Sequence, residues 1–559
     1  METKILDGNT FRRILVGGAH EIKLNIQTIN DLNVFPVPDG DTGTNMSRTI
    51  ESGISKMSDD ENATLGEVAS TFARGSLLGA RGNSGVILSQ FFAGMCDSLG
   101  GKKEVTALEF AEAYIAGVER SYAAVATPVE GTILTVFRES AEYAKKNITG
   151  ESTLEEFLTL NIEQAERSLA KTKEILPALT EADVVDSGGA GYVCIAKGMY
   201  EALEGESFES FELSQKSVES STEVDYDLFT TDSKLEWGYC TEALVRLQRA
   251  KTDIGAFDDK AFAGELERLG CNSIVSLKDG DILKVHAHTM TPSDILTLCQ
   301  QYGEFLNVKI ENMSLQHSEK MANTKPAETE QVKAKKPHKQ YGVVTVATGD
   351  GMTSLFESLG ADVVINGGQT GNPSTEQFVE AFESLDVDNI LVLPNNSNIF
   401  LTATQAAQLF DDEKVSVIPT KTLSQGYAAL SVFNPAVEDL EAQISDLEFA
   451  ISSVVSGELT VAIRDSVIGG VTVNEGEYIG ILDGDLITSD ANAIEAMCDM
   501  VSKIEDIEDR EILTLFVGAD VSDDDRAAMT EALEERFEDL SVEVYIGGQE
   551  IYSYLIAVE

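Results

Sequence analysis

The sequence predicts a multidomain protein with an all-helical first part, a small α+β middle part and an α/β last part. Its 559 residues are too many for a single hydrophobic core, because one domain usually contains roughly 100 to 200 residues. Two breaks divide the chain: residues 204–233 are rich in Ser, Glu and Thr, and residues 317–340 gather lysines with Pro326 and Pro337. Both compositions are typical of linkers.

Helical periodicity dominates residues 1–203. The stretch Val105–Val118 opens with a possible capping box, Thr106 to Glu109, and then places apolar residues on one stripe. Similar periodicity recurs over 72–78, 86–95 and 154–169, with few alternating strand patterns between. This part is therefore predicted to be an all-helical bundle or barrel.

The middle part, residues 234–316, alternates strand and helix patterns. They occur in the order strand 239–247, helix 258–269, a hairpin with its turn at 279–281, helix 292–302 and strand 307–310. That order predicts a small two-layer α+β domain.

In residues 341–559, short β-rich runs alternate with helical stretches. The runs Gly342–Ala347, Asn389–Leu393 and Val415–Pro419 predict parallel sheets covered by helices. A weak internal sequence similarity between residues 345–369 and residues 514–549 favours two related α/β lobes. Polar loops follow several of these strands, where α/β sheets place ligands, although ordinary strand-to-helix turns explain them nearly as well.

Charge and composition exclude several functions. Ninety-five acidic against 41 basic side chains give a formal charge of −54, which repels nucleic acids and anionic lipid surfaces. No apolar run reaches the roughly 18 residues of a membrane span, and the N-terminus lacks the pattern of a secretion signal. Six scattered cysteines fit reduced thiols. We therefore expect a cytoplasmic protein with no nucleic-acid partner and no direct membrane insertion.

The segment Asn33–Met46 carries the most informative motif. Asp39 and Asp41 flank one glycine in a tight loop, and prolines stiffen the approach to it. Grouped carboxylate oxygens suit Mg²⁺, which completes its coordination with waters and nucleotide phosphates. Taken alone, the motif is equally a turn with solvated carboxylates.

Two further glycine-rich loops precede helical patterns. Gly79–Gly85 leads into a strongly apolar helix, so its backbone amides lie at a positive helix end that attracts phosphates. It matches neither a Walker A motif nor a Rossmann fingerprint, and a glycine-rich helix start packed closely on a neighbour remains the alternative. The loop Asp183–Tyr192 again joins carboxylates to glycines before a helix.

Cys240, His286 and His288 form a candidate Zn²⁺ ligand set in the middle part. The two histidines stand at strand spacing, which places both on one face. Two imidazoles and a thiolate suit zinc and leave a fourth position open. From spacing alone, half-buried strand residues without a metal are the favoured explanation.

The three loops resemble those of the L-type dihydroxyacetone kinases, and most closely those of the ATP-binding subunits of bacterial fatty acid kinases, over roughly residues 5–203. The resemblance implies an eight-helix barrel whose rim holds ATP and Mg²⁺. It implies that Asp39 and Asp41 are the catalytic metal ligands. Nucleotide contacts are implied for Thr42, Gly43, Thr44, Asn45, Gly82, Asn83, Ser84, Gly85, Asp186, Ser187, Gly188 and Gly189.

One departure from the dihydroxyacetone kinases matters. They carry a third aspartate before the pair, at the place of Val34, so a third Mg²⁺ ligand has to shift to Asn33 or Asp31. The middle domain of the resembled family carries a matching Cys and His-x-His, which favours zinc at Cys240, His286 and His288. The last part resembles a docking domain, to which we assign no catalysis, and a homodimer is usual in the family.

The resemblance also implies a substrate. A separate fatty-acid-binding protein would present an acyl carboxylate, and this chain would transfer the γ-phosphoryl group of ATP to it, giving an acyl phosphate for phospholipid synthesis. A carboxylate is ionised at neutral pH and needs no general base. Two alternatives remain: a kinase for a small hydroxylated metabolite such as dihydroxyacetone, and a nucleotide-sensing scaffold without turnover.

Overall fold

A computed structural model describes residues 3–33, 40–57, 60, 62–205, 239–252, 254, 257, 259–269, 271–279, 282–312, 338–368, 371–410 and 413–559. For part of the middle segment the description covers the backbone alone. The chain divides into one unit of residues 1–213 and 336–559 and a second unit of residues 214–335. Most of both predicted linkers, 204–233 and 317–340, lies outside the described residues.

The described residues up to position 205 are mainly helical, as predicted. Capping boxes begin three of the helices, at Thr64, Thr106 and Thr153. In each, the threonine side chain accepts a hydrogen bond from the backbone amide of a glutamate three residues later, and the carboxylate of that glutamate accepts one from the threonine backbone amide. None of the described helices is long and apolar enough to cross a bilayer. The helices are α1 Gly8–Leu24, α2 Ile26–Asn30, α3 Thr42–Ser55, α4 Leu65–Gly79, α5 Gly82–Leu99, α6 Ala107–Ala123, α7 Ile133–Asn147, α8 Leu154–Ile175, α9 Pro177–Ala182 and α10 Ser187–Glu204.

The long helices of this region pack in sequence order. Each contacts the next long helix along the chain, and the last, α10, packs against the first, α1. Aromatic rings pack between them: Phe91 stacks on Phe137 at 4.4 Å between ring centroids, and Tyr192 and Phe137 pack edge to face at 4.7 Å. A short antiparallel pair, β1 Ile5–Asp7 with β2 Glu104–Thr106, is an addition that the helical pattern did not predict.

The second unit contains four antiparallel strands in the order β4-β5-β3-β6. The predicted order of strand, helix, hairpin strands, helix and strand is observed. Residues 280–281 of the predicted turn lie outside the described residues. The elements are β3 Tyr239–Leu247, α11 Asp259–Arg268, β4 Asn272–Asp279, β5 Ile282–Thr289, α12 Pro292–Tyr302 and β6 Gly303–Asn312.

A four-stranded parallel sheet opens the C-terminal region, in the order β10-β9-β7-β8. Apolar side chains are buried on both of its faces, Val343 and Leu391 on one and Val344 and Val392 on the other, as a sheet between helical layers requires. The elements are β7 Lys339–Ala347, α13 Asp350–Ser358, β8 Val363–Asn366, α14 Thr375–Glu383, β9 Val387–Leu393, α15 Phe400–Phe410, β10 Val415–Val417, α16 Leu423–Val432 and α17 Leu440–Ser453.

The prediction of parallel strands is wrong for most of the second sheet, whose order is β15-β14-β11-β18-β16-β17. In it, only the β16 and β17 pairing is parallel. The reason is turn chemistry: Asp483 and Gly484 both have positive φ and join β14 to β15 as a two-residue hairpin. The elements are β11 Val455–Val461, β12 Ser466–Ile468, β13 Val471–Val473, β14 Tyr478–Leu482, β15 Asp485–Asp490, α18 Ala493–Ser502, β16 Ile512–Val517, α19 Asp523–Arg536, β17 Ser541–Ile546 and β18 Tyr554–Val558.

Candidate nucleotide and metal site

Each of the three predicted nucleotide loops forms the first turn of a long helix. Thr42–Asn45 begin α3, Gly82–Gly85 begin α5, and Ser187–Gly189 begin α10 after the N-cap residue Asp186. The first amides of a helix have no partner within the helix, and the helix dipole is positive there. These turns therefore present the kind of surface that binds phosphate groups.

Side-chain hydrogen bonds join the start of α3 to the start of α10. The Asn33 Oδ1 atom accepts from the hydroxyls of Thr42 and Ser187, each at 3.4 Å, and the Ser187 hydroxyl also lies 3.2 Å from the Thr42 hydroxyl. The structure thus brings Ser187 to Asn33 and Thr42, two residues that the sequence assigned to the same site although Ser187 lies far from both in the chain.

The start of α3 also contacts the start of α5. Gly82 has a φ of +56°, and a Cβ atom built on it would stand 2.6 Å from the side-chain nitrogen Nδ2 of Asn45. A Cβ on Gly85 would stand equally close, 2.6 Å, to the Thr49 hydroxyl. Only glycine permits this approach without displacing a neighbour. Asn83 and Ser84 lie in the same turn, and the Asn83 amide donates to the Asn398 side chain at 3.5 Å.

Asp41 stands at the N-cap of α3, but its carboxylate makes no capping hydrogen bond. Asn30 takes that role instead, because its Oδ1 atom accepts from the Gly43 amide at 2.7 Å. Asp41 is 4% exposed and lies at the positive end of a helix. The sequence did not single out Asn30, since no local pattern links it to α3. The other predicted catalytic residue, Asp39, lies outside the described residues.

Asp186 is the N-cap residue of α10. Its carboxylate caps α10 by accepting from the Gly189 amide at 2.7 Å, and its own amide donates to the Thr172 hydroxyl at 3.0 Å. Burial disfavours the charged form and raises the pKa of Asp186 to about 6, although the amides of Gly189 and Ile133 pull it down.

This pKa predicts a pH-dependent cost of folding. The pKa of this carboxyl rises from 3.8 in the unfolded chain to about 6 in the folded chain, so the folded state binds the proton more tightly. The stabilising contribution of the protonated group is complete below pH 3.8 and is lost as the pH rises through about 6. Asp186→Asn keeps the cap and removes the charge. As the pH rises from about 4 to about 8, we expect the free energy of unfolding of this variant to increase by about 2 to 3 kcal/mol relative to that of the unsubstituted chain.

Thermal unfolding midpoints at the two pH values, without nucleotide, measure this gain. The matched control is Asp439→Asn, which alters an exposed N-cap aspartate that accepts from the Glu441 amide at 3.1 Å. A midpoint difference for Asp186→Asn that does not change with pH would contradict the assignment.

Two residues that sequence reasoning missed reach the site from the C-terminal region. The Asn372 side-chain amide donates to the Asp41 carboxylate. The Arg464 guanidinium donates to the backbone carbonyls of Asn33 and, at 3.3 Å, of Asp31. The sequence predicted polar loops after several strands of this region but gave them no residue in the site. No sequence signal links positions this far apart.

The oxygen-rich composition of the site fits Mg²⁺. Asp41 supplies a carboxylate, Asn33 an amide oxygen, and the helix starts supply amides for phosphates. Over the described residues, no three Asp, Glu, His or Cys side chains gather closely enough to hold a metal without other ligands. Nucleotide phosphates and waters would complete the coordination of a magnesium ion in such a site.

For the predicted zinc ligands, the structure gives backbone register only. Cys240 on β3 is the register partner of His288 on β5, and Glu242 is the partner of His286. The side chains of Cys240, His286 and His288 lie outside the described residues.

Comparison with known proteins identifies the family. A family model for the C-terminal domain of FakA-like fatty acid kinase proteins matches residues 342–559, and the corresponding FakA-like middle-domain model matches residues 236–320. The DAK2 domain model matches residues 36–201. Protein YloV of Bacillus subtilis is 42% identical over 571 residues, which cover 100% of both chains. The chain belongs to the FakA-like fatty acid kinase family.

Other relatives agree with this membership. A Staphylococcus epidermidis protein, SERP0792, is 38% identical over 556 residues, with 99% of each chain covered. Two solved structures show weaker likeness. DegV, a fatty acid binding protein from Bacillus subtilis, has a TM-score of 0.31 at 13% identity over 39% of this chain and 98% of its own. The dihydroxyacetone kinase of C. freundii has a TM-score of 0.29 at 12% identity over 39% of this chain and 48% of its own.

Proposed function

We propose that this FakA-like protein transfers the γ-phosphoryl group of ATP to the carboxylate of a fatty acid held by a separate fatty-acid-binding protein. The product is an acyl phosphate for phospholipid synthesis. The observation that carries the proposal is the contact of the α3 start with the starts of α5 and α10, beside the buried carboxylate of Asp41. Family membership supports the same activity.

The residues of the site suit phosphoryl transfer, which demands positioning and charge neutralisation more than covalent chemistry. The first amides of α3, α5 and α10 would hold the nucleotide phosphates. Asp41, with Asp39 and Asn33, would hold Mg²⁺, which neutralises charge that develops on the transferred group. Asn30 and Asn33 keep the start of α3 in place through the hydrogen bonds described above.

The acceptor determines what else the site requires. A fatty acid carboxylate is ionised at neutral pH and attacks phosphorus without losing a proton, so no general base is needed. The residues predicted for the nucleotide and Mg²⁺ site accordingly include no histidine. A hydroxylated acceptor such as dihydroxyacetone would need a base, which makes it the second candidate.

Transfer of label from γ-labelled ATP tests the proposal. The full chain is incubated with Mg²⁺ and, in separate reactions, with a fatty-acid-loaded binding protein, with the fatty acid alone and with dihydroxyacetone. We expect a labelled lipid only with the loaded protein. Hydroxylamine should convert this acyl phosphate to an unlabelled acyl hydroxamate and release the label as inorganic phosphate, because acyl phosphates acylate amines. Labelled dihydroxyacetone would favour the second candidate, and ATP binding without any labelled product would favour the scaffold.

We also propose a Zn²⁺ site in the middle domain, formed by Cys240, His286 and His288. The register of β3 and β5 supports it, because positions 240 and 288 are partners and position 286 lies on the same face of the sheet. The purified chain should carry about one zinc per chain, and His286→Ala should lose most of it.

Elemental analysis of both proteins measures this loss. The matched control is His338→Ala, since His338 contacts Asp386 and Asp388 in the other unit and should not affect zinc content. Equal zinc in the unsubstituted chain and His286→Ala would refute the site.

The finer organisation is also a proposal. We propose a closed eight-helix barrel for residues 1–203, a middle domain over 234–316 and a two-lobed docking domain over 341–559. The contact of α1 with α10 supports the closed barrel. We also propose a homodimer, from the family resemblance, and a cytoplasmic location, from the sequence pattern of the N-terminus and the lack of a membrane-length apolar run.

A further inference from the structure

We propose that the C-terminal domain completes the nucleotide and metal site within the same chain, through Asn372. This residue would position Asp41 and contribute its amide oxygen to the surroundings of the bound cation. The inference rests on the proposed function and extends it, because that function assigned the C-terminal domain docking alone.

The contact between Asn372 and Asp41 is buried on both sides. The Asn372 amide donates to the Asp41 carboxylate, and the two residues are 2% and 4% exposed. Asn372 lies in the loop between β8 and α14, at the carboxyl end of a parallel strand, where α/β sheets commonly bind ligands. A neutral amide that fixes a buried carboxylate is a recurrent arrangement around metal ligands.

Several bonds hold the loop of Asn372 against the start of α5. The Arg81 guanidinium donates to the Asn372 carbonyl at 2.8 Å, and Arg81 also pairs with Ser374 in an isolated antiparallel bridge. The Thr375 amide donates to the Ala80 carbonyl at 3.1 Å. These bonds attach the loop to the residues immediately before the turn Gly82–Gly85. A Cβ atom on Gly82 would stand 3.2 Å from the side-chain nitrogen Nδ2 of Asn372.

Two buried oxygen atoms at this place have no hydrogen-bond partner among the described residues: Oδ1 of Asn372 and Oδ1 of Asn83. A buried polar atom without a partner is costly, roughly 1 to 3 kcal/mol, and such atoms in native proteins usually meet a ligand, an ion or a water. An amide oxygen is also the type of ligand that Mg²⁺ accepts. The unpartnered Asn372 oxygen beside Asp41 therefore points to a cation site that the C-terminal loop helps to form.

A purely structural role is the competing explanation, and the same interface contains a residue that represents it. Gln405 of α15 is 3% exposed and bonds the Leu77 carbonyl at 2.7 Å and the Gln90 side chain at 2.7 Å. It joins the same two domains through bonds that do not involve Asp41. Its side chain also donates to the Thr375 hydroxyl at 3.2 Å. We expect its substitution to weaken the interface, while the bonds of the Arg81 guanidinium and the Thr375 amide keep Asn372 in place.

Binding of Mn²⁺, measured by electron paramagnetic resonance on the full chain with a saturating non-hydrolysable ATP analogue, tests the inference. No acceptor lipid is needed. We expect Asn372→Ala to weaken Mn²⁺ affinity about tenfold or more. Asn372→Asp should bind Mn²⁺ more tightly than Asn372→Ala, because its carboxylate keeps an oxygen ligand beside the cation although it no longer donates to Asp41. Gln405→Ala should bind Mn²⁺ normally.

Other results would overturn the inference. These are unchanged Mn²⁺ affinity in Asn372→Ala, equal weakening in Asn372→Ala and Gln405→Ala, or an Asn372→Asp variant as weak as Asn372→Ala. If Asp41→Asn loses Mn²⁺ while Asn372→Ala does not, the inference fails and the proposed function stands. If the unsubstituted chain binds no Mn²⁺ with the nucleotide, both fail.

Discussion

Asp41→Asn is expected to slow phosphoryl transfer by at least about a hundredfold. The substitution keeps the size of the side chain and removes the negative charge that the proposed Mg²⁺ site requires. Stability should change little or increase, because Asp41 makes no capping bond and a buried charge is costly. The measurement is the rate of label transfer from ATP to the loaded partner, at several Mg²⁺ concentrations.

Asp7→Asn is the matched control for this prediction. Asp7 occupies the N-cap of α1, and its exposed carboxylate accepts from the Thr10 amide at 2.8 Å. Because asparagine also caps helices well, transfer should stay within about twofold of the unsubstituted rate. An Asp41→Asn protein that remains as active as Asp7→Asn would show that Asp41 holds no catalytic cation.

Gly82→Ala is expected to lower kcat/KM for ATP by about tenfold to a hundredfold. The added methyl would stand 2.6 Å from the Asn45 side chain and would also require an alanine at a φ of +56°. Both effects move the first turn of α5 away from that of α3, so the amides proposed to hold the phosphates no longer converge.

Gly101→Ala separates backbone strain from the steric contact. Gly101 has a φ of +72°, but a Cβ atom there would meet nothing within 4 Å. This variant should therefore lose about 1 kcal/mol of stability and keep its kcat/KM for ATP. If the two variants lose the same activity, the close approach of Gly82 to Asn45 is irrelevant to the site.

Local patterns in the sequence predicted much of the fold. The capping box at Thr106 and the apolar stripe after it predicted a helix that the structure has as α6 Ala107–Ala123. Strand β3 and helix α12 have the predicted bounds, because alternation and proline punctuation act within a few residues. Each predicted nucleotide loop also forms a helix start, since glycine-rich segments before apolar runs are themselves local signals.

Features that depend on distant parts of the chain were not predictable in this way. Asn372 and Asp41 are separated by 331 positions, and nothing near either residue indicates the other. Asn30 caps α3 from a separate short helix, which a local search for caps does not find. The antiparallel β14 and β15 were an avoidable error, because the Asp483-Gly484 dipeptide between them is a hairpin signal.

The central claim is that the starts of α3, α5 and α10, together with Asp41, form the ATP site. A crystal structure of the full chain with Mg²⁺ and a non-hydrolysable ATP analogue tests it most directly. We predict phosphate oxygens at the first turns of α3, α5 and α10, at amides that no capping side chain or helix carbonyl occupies, and a magnesium ion bound by Asp41. A nucleotide bound elsewhere, or phosphates that contact none of these three turns, would contradict the claim.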